Sequence, residues 1–461
     1  MNNHGLEIDK KLISKYGERS FMYTEYPNLR FWSKKYGDQE FRATLKDFLK
    51  HNKDASFLFY IHIPHCHRQC LFCTCEVIIT LKYEDIKRYL KYLYMEINLF
   101  REFFEEIGFF PNFREVHYGG GSPTYLHEED FSELTEKVRS IVDFSKIEEC
   151  AIEIDPRHVK PEGMRYYAKQ GVNRISFGVQ DFDPAVQKVI DRVQPAYLTE
   201  RLMTPELRAL FSKGVNFDII CGLPLQTVET IKKTAEKIVK MSPDRICFNY
   251  LHMRPELFSH QLSMPAPPDN YNRKLLFRVA REILEKNGYI RTGYDHFARS
   301  TDDIARAMGE KKMQWNRLGV TSGRSNHILG LGIHGMSKFE PRWYFQNFYA
   351  SREPDRNYKQ YEEAVTKGIF PVNHGHFMSD DDLIRREVIH NLRNYFYVDG
   401  DEVEKKYSID FRNYFSSELW MLAEFIEDGI VEISGNIITI TELGYEFADF
   451  VCSRFDVYIR P

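Results

Sequence analysis

The sequence predicts an α/β protein: a curved, mostly parallel sheet forming an incomplete barrel, with an N-terminal extension and a mainly helical C-terminal domain. Three observations predict it. Six short apolar runs alternate with amphipathic stretches between residue 57 and about residue 250. Strands separated by helices pair in parallel through right-handed crossovers. The alternation is absent before residue 55 and after about residue 378, which divides the chain into 1–54, 55–350 and 351–461.

The strands are expected at FLFYIHI from Phe57, EVHYG from Glu115, CAIEID from Cys150, RISFGV from Arg174, NFDIICG from Asn216 and RICFNY from Arg245. Each is rich in β-branched or aromatic residues and bounded by turn residues. The helices between them are expected at Tyr83 to Glu106, Glu128 to Val142, Pro161 to Lys169, Pro184 to Ile190 and Val228 to Lys240. A barrel of this kind places its active-site loops at the C-terminal strand ends. The extension carries YTEYPNLRFW and is expected to pack over the barrel. The region from 290 to 350 reads as Gly-rich and irregular, with ILGLGIHGMS its most strand-like piece. The last hundred residues read as two helical stretches, a hairpin turning at Gly435-Asn436, and a final helix from Glu442 to Tyr458. That order is winged-helix-like.

Length and composition narrow the function. The chain has 461 residues and a net charge of −4, so no broad basic field invites nucleic acid, and the winged-helix-like end reads as structural. No apolar run reaches the roughly 18 residues of a membrane span, and the polar N-terminus lacks a signal core. A cytoplasmic protein is expected.

Four of the eight cysteines fall within ten residues, which reads as a metal site in a reducing compartment. The motif is Cys66-His-Arg-Gln-Cys70-Leu-Phe-Cys73, directly after the first strand. Thiolates are the ligands of iron–sulfur clusters, which take four. Three thiolates leave one iron of a [4Fe–4S] cubane open to a small chelator such as S-adenosylmethionine. Electron transfer can then break the sulfonium bond and release a 5′-deoxyadenosyl radical. A zinc site is the competing reading, but structural zinc sites join two separated cysteine pairs. A redox CxxC leaves the third cysteine without a role. Cys75 is a poor fourth ligand, since only Thr74 separates it from Cys73.

YIHIPHCHRQCLFCTC resembles the cluster loop of the oxygen-independent coproporphyrinogen III oxidase family, in the radical S-adenosylmethionine superfamily. HYGGGSPTYL, IEIDPR, RISFGVQDF, DIICGLPLQT, FNYLH, DHFAR and FDVYIR resemble that family's segments in the same order. The resemblance implies a partial (β/α)6 barrel of the radical SAM type. It implies that Cys66, Cys70 and Cys73 hold the cluster. It further implies that Tyr60, Phe72, Gly120, Gly121, Ser122, Glu153, Gln180, Arg192 and Asp218 serve S-adenosylmethionine. The implied substrate is a tetrapyrrole, coproporphyrinogen III, whose propionates become vinyl groups, and the implied partner is a reductant such as flavodoxin or ferredoxin. Glu153 also stands out by itself: a carboxylate inside the apolar strand IEID must be paired or ligand-bound.

Two stretches depart from the family. Met22 stands where the family has Arg, and Glu25 adds an opposing charge. Asn316-Arg317-Leu318-Gly319-Val320-Thr321 replaces Asn-Phe-Gln-Gly-Tyr-Thr, so a Gln of the region that binds a second S-adenosylmethionine is lost at Leu318. Met336, His334 and Thr74 are smaller changes. These departures keep open a related enzyme acting on another tetrapyrrole, haem opened without oxygen included, or on a natural product that it methylates or cyclopropanates. A haem chaperone of the superfamily also remains.

Overall fold

The computed structural model describes residues 10–16, 25–348 and 354–459. Six parallel strands run where the apolar runs place them: β1 (Ser56–Ile63), β2 (Asn112–Gly120), β3 (Glu149–Ile154), β4 (Arg174–Gln180), β5 (Val215–Cys221) and β6 (Arg245–Tyr250). The helices between them include α1 (Tyr83–Ile107), α2 (Glu128–Arg139), α3 (Pro161–Lys169), α4 (Pro184–Val189) and α5 (Val228–Met241). β1 is buried along all but its first residue, because sheet neighbours and helices cover it on every side. α1 turns Ile86, Leu90, Leu93, Ile97, Phe100 and Phe104 to the sheet, the spacing of one helical face.

The region from 290 to 348 is built of regular strands, contrary to its irregular appearance. After helix α6 (Asn270–Lys286) come β7 (Tyr289–Arg291) and β8 (His296–Arg299), then β9 (His327–Leu331), β10 (Met336–Phe339) and β11 (Trp343–Asn347). β12 (Val372–Phe377) follows a helix at Pro354–Thr366, so the sheet continues past residue 350. These strands form one twelve-stranded sheet in the order β12-β11-β10-β9-β1-β2-β3-β4-β5-β6-β8-β7. β9 pairs in parallel with β1, Phe57 opposite His327 and Ile61 opposite Leu331. The outer strands on both sides are antiparallel.

The extension packs on two partners. Helix Asp38–His51 buries Phe41, Leu45 and Leu49 in the barrel core. Helix Lys10–Tyr16 instead stacks Tyr16 on Phe425 at 4.8 Å, in the C-terminal helices. Those helices accompany a three-stranded sheet, Tyr397–Asp399, Val431–Ser434 and Ile437–Ile440, with the expected turn at Gly435. The final helix is shorter than expected, Ala448–Ser453 after a 3-10 turn.

Glu96, on α1, is fully buried and ties four elements together. Its carboxylate accepts from Tyr361 Oη (2.7 Å), the Gly332 amide (2.8 Å) and Asn347 Nδ2 (3.0 Å). Burial pushes its pKa up to about 7, against the pull of those donors. A carboxyl with a raised folded pKa binds its proton more readily folded than unfolded. The stability it contributes is therefore complete below the unfolded value and lost as pH rises through about 7. Glu96→Gln is expected to flatten the fall in unfolding midpoint between about pH 5 and about pH 8, a slope worth on the order of 1–3 kcal/mol, which calorimetric scans across that range check.

Candidate active site

The cysteine loop and the cavity beside it lie toward the C-terminal ends of the parallel strands. The cysteine loop leaves β1 through Pro64, and its base is closed by a short parallel pair, His65–Cys66 with Ile78–Ile79. The Ile78 amide donates to Pro64 O (2.8 Å) and the Thr80 amide to Cys66 O (3.1 Å). β2 ends against the same base: the Gly121 amide donates to Ile63 O (2.8 Å) and the Ser122 amide to His65 O (3.0 Å). Gly121 and Ser122 therefore brace the loop rather than line the cavity beside it.

Sequence reasoning missed the loop's other braces. In a 3-10 turn at Ser259–Ser263, His260 Nε2 lies 2.8 Å from Cys73 O, and the buried Gln261 donates to Phe72 O at 3.2 Å. No motif marks these residues; only the fold brings a segment 187 residues away onto the loop.

Cys70 is buried and Cys66 and Cys73 are half-buried, while Cys75 is exposed and its amide points at Cys73 Sγ (3.4 Å). Burial pushes the Cys66 thiol up to about 12, helped by the neighbouring thiols and Asp155. Two guanidiniums face Cys70: Arg192 Nη1 at 3.5 Å and Arg157 Nη2 at 3.9 Å from its sulfur. Asp155 holds both, at 3.3 Å and 2.6 Å. Burial opposes its charge, yet Arg192 and Arg157 keep its carboxyl far below the ordinary range. Arg192 thus sits behind the cysteine loop. Among the described residues no three His, Cys, Asp or Glu side chains converge to grip a single ion. A cubane asks for less, since each of its irons takes its own thiolate. Arg192→Met is expected to lower cluster content severalfold after anaerobic reconstitution, read as iron and sulfide per chain, because the thiolate loses its nearer cation.

Beside Cys73 opens a cavity of about 540 Å³, large enough for a drug-sized ligand. Tyr60, Phe72, Gly120, Glu153, Gln180 and Asp218 line it. Glu153 is paired: its carboxylate meets His117 Nε2 (3.1 Å) and accepts from the Gly120 amide (3.1 Å) while staying 37% exposed to the cavity. Asp218 accepts from Ser176 Oγ and Asn216 Nδ2, both at 2.8 Å, and burial raises its pKa. Gln180 adopts a left-handed backbone (φ 68°), a strain of the kind held at functional sites. Tyr60 Oη lies 3.0 Å from His62 Nδ1, and the His62 ring meets His334 edge-on at 5.5 Å. Burial pushes His62 down to about 4 and His334 well below its usual range, so both rings are neutral at pH 7.

The departures cluster here. Thr74, Arg317, Leu318, His334 and Met336 all line the cavity. Glu25 is buried, and its carboxylate faces Arg317 Nε at 3.5 Å. Met22 lies outside the described residues. Of the four scattered cysteines, Cys150, Cys221 and Cys452 are buried, whereas Cys247 reaches the cavity wall.

Three thiols in one loop, opening onto a cavity at the mouth of a partial barrel, are the layout of a radical S-adenosylmethionine enzyme. The profile of the radical SAM superfamily matches residues 60–238. Oxygen-independent coproporphyrinogen III oxidase of Helicobacter pylori (strain J99) is 32% identical over 98% of this chain and 97% of its own length. The Escherichia coli K12 relative of the same name is 31% identical over 100% and 97%. The solved structure of E. coli coproporphyrinogen III oxidase, described as a radical SAM enzyme, superposes with a TM-score of 0.86 at 29% identity, over 98% of this chain and 99% of that one. The chain belongs to the oxygen-independent coproporphyrinogen III oxidase family. The class works with a [4Fe–4S] cluster and S-adenosylmethionine, and the donors present fit: soft thiols backed by cations, beside a polar-floored cavity. No helix among the described residues is long and apolar enough to cross a membrane.

Proposed function

We propose that this protein is an oxidoreductase that converts two propionate side chains of coproporphyrinogen III to vinyl groups, giving protoporphyrinogen IX for haem biosynthesis. The end-to-end likeness to relatives of that name is the observation that carries this reading. Cys66, Cys70 and Cys73 would hold the cluster and leave one iron for S-adenosylmethionine. Gly120, Glu153, Gln180 and Asp218 would take the nucleotide's polar groups, with Tyr60 and Phe72 packing beside them. Gly121, Ser122 and Arg192 would act on the cofactors through the loop they brace.

When bound, the two cofactors supply one-electron chemistry that removes a hydrogen atom from an unactivated carbon. The chain's own residues position and shield. Tyr250, Trp315, Leu318 and Met336 give the cavity an apolar wall that keeps water from a reactive carbon. His62 and His334, neutral rings, offer hydrogen bonds without charge. Each conversion takes a hydrogen atom from the propionate β-carbon, releases carbon dioxide and passes one electron to a one-electron acceptor. A reductant such as flavodoxin or ferredoxin would feed the cluster, in a reducing cytoplasm that keeps the cysteines as thiols.

Cluster-loaded protein given dithionite, S-adenosylmethionine and coproporphyrinogen III without oxygen should yield products lighter by one and then two formic-acid equivalents, together with 5′-deoxyadenosine. Release of 5′-deoxyadenosine with no tetrapyrrole product would reject this substrate. It would favour another tetrapyrrole, a reading supported by Leu318, His334 and Met336 on the cavity wall.

A further inference from the structure

Among the described residues four cations line the cavity, and they are not equivalent: Arg273, Lys274, Arg317 and Arg393. Arg393 is matched by two carboxylates, Asp295 at 3.3 Å and Asp449 at 3.4 Å. Lys274 gives its ammonium to the Glu446 carbonyl and lies over the rings of Tyr250 (5.0 Å) and Phe447 (5.4 Å). Its ammonium is thus already engaged by the protein.

Arg273, near the start of α6, donates to Leu251 O (2.7 Å) and lies 5.7 Å from the Tyr250 ring centre, with no carboxylate partner among the described residues. Its Nε is buried and finds no hydrogen-bond acceptor there. A guanidinium whose charge no acid balances suits an anionic ligand. Arg317 sits in the turn of a hairpin, Gln314–Asn316 with Gly319–Thr321. Its Nη1 donates to Gln346 Oε1 (2.6 Å) and its Nε faces Glu25 at 3.5 Å, while the side chain stays 26% exposed. Glu25 is itself fixed, accepting from the Leu29 amide at 3.1 Å. The Arg317 head is thus held in the wall by two buried side chains and is not free to follow solvent. The same wall carries Tyr250, Tyr294, Trp315 and Leu318, with the acid-paired Arg393 over the rings of Tyr294 (5.3 Å) and Trp315 (4.6 Å). Two fixed cations and several aromatic rings on one cavity wall match a bulky, largely apolar macrocycle that carries carboxylates on its rim.

We propose that Arg273 and Arg317 form a two-point clamp, each binding one propionate of the tetrapyrrole. The clamp rests on the tetrapyrrole reading above and assigns two residues to substrate binding. Glu25 and Gln346 are its positioning residues, and the cation at Arg317 comes from the stretch that departs most from the family.

The test uses cluster-loaded protein under anaerobic conditions, titrated with coproporphyrin III and followed by its absorption band. Its tetra-amide keeps the ring and loses the four charges. Arg317→Ala and Arg273→Ala are each expected to weaken coproporphyrin III binding by about tenfold to a hundredfold, the range of a charge-assisted hydrogen bond. Tetra-amide binding should change by less than about threefold, since an amide exploits the charge poorly. Arg317→Lys should recover part of the loss. Wild-type iron content and an unchanged circular dichroism spectrum report that each variant is folded. Variants that bind coproporphyrin III as tightly as the wild type would overturn the clamp and leave the substrate reading intact. A wild type that neither binds coproporphyrin III nor turns over coproporphyrinogen III would overturn the substrate reading, and the clamp with it.

Discussion

Replacing Cys73 with Ala is expected to abolish the cluster and, with it, all cleavage of S-adenosylmethionine. Cys73 is the cysteine of the trio that lines the cavity, and its place is fixed from both sides of the chain, by its own amide to Cys70 O (3.1 Å) and by His260 at its carbonyl. Cys75 cannot take over its role without rebuilding that turn, because it stands two residues on, with its amide donating to the Cys73 sulfur (3.4 Å). Cys75→Ala should therefore leave iron, sulfide and the electron paramagnetic resonance signal of the reduced protein near wild-type levels. Cys73→Ala should lose the signal. Full iron content and cleavage in Cys73→Ala would refute the ligand assignment.

Gly120→Ala should damage both the fold and the site with a single methyl group. Gly120 closes β2 with φ at 118°, a conformation that residues with a Cβ rarely adopt. A Cβ there would also stand 2.8 Å from Ile63 O and 2.9 Å from the His62 ring. The carbonyl belongs to the backbone that leads into the cysteine loop and cannot yield without moving it. Strain of about 1–3 kcal/mol and overpacking of about 1–3 kcal/mol would add. We expect a loss of about 2–6 kcal/mol in unfolding free energy, measured by denaturant titration, with cluster loading reduced in parallel. A variant as stable as the wild type, with full cluster content, would show that the two backbones can part.

The barrel strands were legible because each is a short apolar run closed by turn residues, and the cysteine spacing was legible because it is local. The rest of the sheet was hidden by its glycines. ILGLGIHGMS looks irregular, yet Gly330 is what lets β9 lie on β10: a Cβ there would run into the Met336 backbone. Glycine density here records close packing rather than a loop. Glu153 announced itself, since a carboxylate in an apolar strand demands a partner, and His117 and the Gly120 amide supply it. Glu25 misled. It reads as a charge opposing substrate, but it is buried against Arg317, a pairing that spans almost the whole barrel and leaves no local trace. His260 and Gln261 were silent for the same reason.

The parallel pairing of β9 with β1 has a bearing on biogenesis. The strand that launches the cysteine loop has one neighbour from residues 112–120 and the other from residues 327–331. A nascent chain must therefore expose one flank of β1 as an unpaired edge until residue 331 has emerged. The root of the cysteine loop gains its second flanking strand only when that late segment docks.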